Sequence, residues 1–162
     1  MVELMFVLAI AGILLALGVP AFNDVILGAK ASTIANDLLA SVQLARSEAI
    51  KRNVPITLCS STDGATCATS TDWETGWVVV VLDPVTAAVI QVIQVEQAAP
   101  EHFKVHQAGI AADLVFQPIG VGATTAAFTV CRVSPVGSQE RVLTVSATGS
   151  TFIRTTEAGV CP

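Results

Sequence analysis

Residues 1–22 read MVELMFVLAIAGILLALGVPAF, an apolar run interrupted by one charge, Glu3. A charged side chain entering hydrocarbon costs about 3 kcal/mol even on lenient insertion scales, so a Glu3 carried into that environment requires a compensating partner. An acid rather than a basic segment stands at the head of the run, and no small-residue cleavage site closes it, so it does not read as a secretory signal peptide. At about 1.5 Å per residue the run is long enough to cross most of a bilayer, and it reads as a retained membrane helix.

The 162-residue chain is one domain's worth, and the residues after Phe22 are numerous enough to bury a core. The 52% hydrophobic content and mean hydropathy of +0.69 are high for a soluble protein, and much of the excess lies in residues 4–22. The remainder is rich in Val, Ala and Thr and poor in charge, a composition suited to β-sheet. A net charge of −5 and a pI near 4.8 argue against a nucleic-acid or anionic-membrane partner, which requires a basic patch. The one small basic group, Arg46, Lys51 and Arg52, reads as a solvated helix face.

Four cysteines, Cys59, Cys67, Cys131 and Cys161, form no CxxC pair and join no histidine at zinc spacing, so no metal site is expected. Beside a membrane anchor, two disulfides in an oxidising compartment are the better account. Three pairings are open. The favoured one joins Cys59 to Cys67, closing a polar loop, and Cys131 to Cys161, tying the C-terminus to a strand. Each bond would contribute roughly 2–4 kcal/mol, mostly by restricting the unfolded chain.

Past Pro20 a helical pattern resumes. Ile34, Leu38, Val42, Ala45 and Ala49 recur at three- and four-residue steps, an amphipathic stripe ending near Asn53. Pro20 removes one backbone donor and is expected to kink or locally melt the helix, with Gly28 as a second soft point. Unbroken, residues 1–52 would form a helix about 75–80 Å long. After Asn53 the period changes, and residues 54–58, 76–82, 88–95, 103–106, 126–132 and 140–145 read as strands, although AVIQVIQV at 88–95 lacks strict alternation. Turn residues separate them at Asp83 and Pro84, at 120–122 and at 135–137. One long helix followed by strands predicts an α+β fold: an N-terminal helix, transmembrane in its first half, packed on an antiparallel β-sheet.

The stretch ELMFVLAIAGILLALGVP at 3–20 resembles the N-terminal helix of mature type IV pilins and type II secretion pseudopilins. That family has two landmarks, an early glutamate and a later proline. Glu3 and Pro20 match them with the same two-residue displacement, which implies that two residues, ordinarily Phe-Thr, and a basic leader ending in Gly precede Met1. Three further stretches, ARSEAIKRNVPITLC at 45–59, DWETGWVVV at 72–80 and FTVCR at 128–132, resemble the GspH/FimT-type minor pilins, and among these the FimU-like proteins most. FimU-like proteins carry two disulfides, in keeping with four cysteines.

The resemblance implies a few-copy subunit that initiates pilus assembly and couples a tip complex to the shaft of major pilins. Its implied partners are other minor pilins, the major pilin and, before assembly, the inner membrane, with the head in the periplasm and then in the extracellular pilus near its tip. Glu3 would be neutralised in the filament by the N-terminal amine of a neighbouring subunit, a register device consistent with the rule that a buried acid is tolerable only when paired. A Glu3 that merely reaches the headgroups is the plainer alternative. Three parts are expected: a transmembrane and filament-core half of the helix at 1–22, an amphipathic half at 23–53, and a disulfide-stapled β-sheet head at 54–162. A GspH-type minor pseudopilin of a type II secretion system shares anchor and fold and is the second reading. A DNA-uptake pilin is disfavoured, because the G-R-x-R motif of such relatives meets only Arg154 within residues 148–154.

No catalytic constellation is present: the serines lack a G-x-S-x-G elbow, and the glycines of PIGVGA lack the Lys-Ser or Lys-Thr of a phosphate loop. No enzyme activity, cofactor or small-molecule substrate is expected. His102 and His106 stand four apart, but EHFKVHQ alternates, which makes them the polar face of a strand with Lys104 between. The polar loop SSTDGATCATSTDWET at 60–75 is the candidate contact surface for a neighbouring pilin, with Asp63, Asp72 and Trp73 as interface residues. Trp77, on a Val-rich strand, is expected in the core.

Overall fold

The computed structural model describes residues 2–109, 113–120, 124–133, 140–156 and 161, with side chains at 16–23 outside the description. The side chain of Pro20, Gly122 and the expected turn at 135–137 therefore lie outside the described residues. Helix α1 (Val2–Arg52) runs for 51 residues and carries Lys51 and Arg52 in its last turn, where cations oppose the negative end of the helix dipole. Its backbone stays helical through position 20, so the expected melt is absent; one missing donor leaves the flanking ladder intact. The helix ends because Asn53 adopts a left-handed φ of 55° and Pro55 comes two residues later, which cannot continue it.

Along α1 the environment changes once. Residues 2–10 and 12–15 are exposed, large apolar side chains such as Leu4, Phe6, Ile10 and Leu14 among them. From Ala31 onward a buried stripe appears, in which Ala35, Leu38, Val42, Ala45 and Ala49 are fully covered. The docked half, Asp24–Arg52, is apolar enough by length and composition to cross a membrane, yet its stripe from Ala31 to Ala49 is buried in the head. That half is a core helix.

The strands form two antiparallel sheets rather than the single one expected. Strands β1 (Ile56–Ser60), β2 (Trp77–Leu82), β3 (Val89–Glu96) and β5 (Leu114–Phe116) make the first, in the order β3-β2-β1-β5. Strands β4 (Phe103–Gln107), β6 (Ala126–Arg132), β7 (Glu140–Val145) and β8 (Thr151–Thr156) make the second, in the order β4-β6-β7-β8. The split lets one helix touch both layers: α1 packs on β1 and β5 of the first sheet and on β6 and β7 of the second. Between them lies one core, with Leu38, Ile56, Leu58, Phe116, Phe128 and Leu143 at its centre. Strands β5 and β8 are absent from the sequence reading. The first is only three residues long, and the second, TFIRTT, lies largely in the stretch compared there with the DNA-binding motif.

The irregular AVIQVIQV segment has a physical explanation. Val78, Val80 and Leu82 of β2 pair with Val95, Val92 and Val89 of β3, while Val79 and Val81 pair with Gln94 and Gln91. The register slips between Val79 and Val80 and again between Val81 and Leu82, so each Val-Ile-Gln triplet carries an extra residue. Period three becomes period two, and all three valines share the face of the first sheet that looks away from the helix. Gln91 faces the other way, where Arg52 Nη1 donates to its Oε1 (2.8 Å).

Gly76 marks where the chain enters β2. Its φ is +113°, and a Cβ there would lie 2.6 Å from the Glu96 carbonyl oxygen. Gly109 has φ +92° but open space around it. Gly76→Ala is therefore expected to cost about 3 kcal/mol or more, strain plus backbone collision, and Gly109→Ala only the strain, about 1 kcal/mol. Thermal melts followed by circular dichroism on the two variants would show the difference.

Candidate assembly and docking site

Glu3 lies in the first turn of α1, where a carboxylate favours the positive end of the helix dipole. It is exposed, and among the described residues it makes no ion pair. The exposed stretch Val2–Leu15 is a continuous apolar helix surface around it. The stripe of α1 that packs on the head begins only at Ala31.

Below that point polar bonds lock the helix to both sheets. Trp77 Nε1 donates to Ser41 Oγ (2.9 Å), which donates in turn to the Asp37 carbonyl (2.9 Å). Arg46 spans two loops, with Nε donating to Gly120 O (3.1 Å) and Nη1 to Gly149 O (3.2 Å). Arg132 Nη2 donates to Asp24 Oδ1 (3.1 Å), and Arg141 Nε to Ser32 Oγ (3.0 Å). The Arg46, Lys51 and Arg52 group is thus not one solvated face. Lys51 and Arg52 are exposed and both donate to the Glu48 carboxylate, Arg52 reaching Gln91 as well; Arg46 is the member turned onto the head.

The loop expected as a contact surface is held from within and at both ends. Cys59 pairs with Cys67 at a Cα separation of 5.5 Å, over Val78 and Val80 on the outer face of the first sheet. The second bond, Cys131–Cys161, has the same Cα separation. Asp63 accepts from the Ala65 and Thr66 amides (both 2.8 Å), Thr66 Oγ1 (2.7 Å) and Ser61 Oγ (3.0 Å), which holds its carboxyl well below the usual carboxylate range. Its oxygens are spent on its own turn. Asp72 receives His106 Nδ1 at 3.1 Å.

Trp73 is a correction. Expected at an edge as an interface residue, it is 1% exposed. Its ring meets Phe128 edge-on at 4.7 Å, and its Nε1 donates to Gln107 Oε1 (3.3 Å). A residue so enclosed contacts no partner; its role is to anchor the loop in the core. Trp77 is buried too. Among the described residues no group of histidine, cysteine, aspartate and glutamate could hold a metal ion, and His106 faces Asp72 rather than His102. Sequence reading missed Ser41, Arg46, Arg132 and Arg141. Ser41 alone left a signal, a polar residue within an apolar stripe.

Residues 35–149 match the family described as type II transport protein GspH, and the chain belongs to that family. No curated protein matches it closely enough to count as a relative. Its fold is similar to that of the type IV minor pilin FimU of Pseudomonas aeruginosa in two crystal forms, at 21% identity with TM-scores of 0.59 and 0.62, covering 76% of this chain and 91% and 87% of those chains. It is also similar to the minor pseudopilin EpsH from the type 2 secretion system of Vibrio cholerae, at 12% identity and a TM-score of 0.58, covering 78% of this chain and 97% of that one. The long apolar helix on two antiparallel sheets is a pilin-like α+β fold.

These bonds carry two expected outcomes. Arg46→Met keeps the aliphatic stem and strands two carbonyls, and is expected to cost about 1–3 kcal/mol by urea unfolding. Because the folded-state pKa of Asp63 is depressed, its contribution to stability is present above the unfolded value of about 3.9 and is lost as pH falls through the folded one. A carboxyl-carbon NMR titration should place the Asp63 midpoint below that of an unstructured aspartate.

Proposed function

We propose that this chain is a minor pilin of a type IV pilus that initiates assembly and links a tip complex to the shaft of major pilins. The observation that carries the reading is the exposed apolar helix Val2–Leu15, with Glu3 in its first turn, standing clear of a head whose own core is complete. Such a surface is stable only in lipid or against other apolar helices. The inner membrane supplies the first before assembly, with the head periplasmic, and neighbouring pilins supply the second in the filament. Glu3 then pairs with a neighbour's terminal amine, which sets the register, and Pro20 shapes the helix between core and head. Residues 1–22, 23–53 and 54–162 serve as filament core, docking helix and stapled head.

The second reading, a GspH-type minor pseudopilin of a type II secretion system, is favoured by the family match and by the fold shared with EpsH. The two part company in where the protein is found. Quantitative mass spectrometry of sheared surface pili is expected to find this chain at a small, reproducible ratio to the major pilin. Glu3→Ala should abolish that incorporation while the head stays folded. Absence of the native chain from pili despite expression would favour the secretion reading, and normal incorporation of Glu3→Ala would remove the register role.

A further inference from the structure

Residues 61–76 form a strap across two sheets that share no strand. Near one end Cys59–Cys67 fixes it to the first sheet, and Ser61 N donating to Gly76 O (2.9 Å) joins its two ends between β1 and β2. In its middle it lies along β4, the edge strand of the second sheet: Trp73 N donates to Val105 O and Gln107 N to Thr71 O, both at 2.7 Å, with Asp72 opposite His106. It occupies the place of one more strand at that edge.

We propose that the Asp72–His106 pair makes this strap a pH-tuned latch on the β4 edge. The side chains meet at 3.1 Å, while 49% and 27% exposed, so solvent reaches the imidazole while it stays in contact with the carboxylate. Imidazoles change charge in the mildly acidic to neutral range, where a carboxylate is already ionised. Protonation turns a neutral hydrogen bond into an ion pair and tightens the strap. The other charged groups near His106 are few. Lys104 shares its face of β4, and Glu74 lies two residues beyond Asp72 on the strap. Across the second sheet the row continues through Thr129 and Val142, both uncharged, to Arg154, which is stacked on Phe152 at 5.1 Å. Asp72 is the charge in direct contact.

Burial of Trp73 sets how firmly the strap is held; the pair adjusts it. A part-exposed ion pair is worth a two- to fivefold change in an opening equilibrium, which is a modulation and not release. Loosening would bare the backbone of β4, an edge able to accept an extended segment from a neighbouring chain.

Amide hydrogen exchange on the full chain in detergent micelles tests this. After correction for intrinsic rates, the Trp73 and Gln107 amides should be two- to fivefold better protected near pH 5.5 than near pH 8. That difference should vanish in both Asp72→Asn and His106→Gln and persist in His102→Asn, which alters the other histidine at its left-handed position. No pH dependence in the native chain, or one that survives in either pair variant, overturns the proposal.

Discussion

The head depends on how closely one helix can approach two sheets at the same time. Ala31, Ala35, Ala45 and Ala49 give α1 a shallow surface, so that Ile34, Leu38 and Val42 reach into the space between the layers. Interiors pack at crystal-like density, and a larger residue at any of these alanines would push one sheet away or leave the other uncovered. The second core cluster, Cys59 with Val78 and Val80, sits on the far side of the first sheet. Strand β1 is therefore buried on both faces, which is why ITLCS shows no polar alternation.

Close apolar packing does not by itself fix the helix along its axis, since a stripe of alanines can slide. The polar bonds supply that register. Ser41 receives Trp77 from the first sheet, while Asp24 and Ser32 receive arginines from the second. Arg46 ties loops that come after β5 and β7 to the same helical turn. These contacts are individually modest, but each has one geometry, and together they favour one alignment of helix and sheets. The exposed end of α1 is consequently held in a fixed relation to the docked turns as far as its own rigidity extends.

The helix, its buried stripe and most strands were legible because each follows a period that side-chain burial imposes. The stretches at 45–59, 72–80 and 128–132 carried the resemblance to GspH-type proteins, the family that the match over 35–149 shows. Other features had no local signal. Division into two sheets depends on β5 returning to β1 after β4 has begun the second layer, a long-range choice that three residues cannot announce. The arginine braces end on backbone carbonyls and hydroxyls far away in sequence, where no residue pattern points. Trp73 was misplaced because the polar composition of 60–75 suggested an outward loop, whereas the segment after Cys67 turns inward to line β4.

The two bulges in β3 matter beyond the facing of its valines. A long apolar strand at the margin of a sheet is a template on which other chains can stack their own backbones, and VIQVIQVE has the composition of such a template. Each extra residue twists the margin and interrupts the even spacing of its free amide and carbonyl groups. Heads that meet in a crowded compartment thus find valine side chains but no straight ladder to extend. The same irregularity that obscures the strand in the sequence keeps it from becoming the seed of an aggregate.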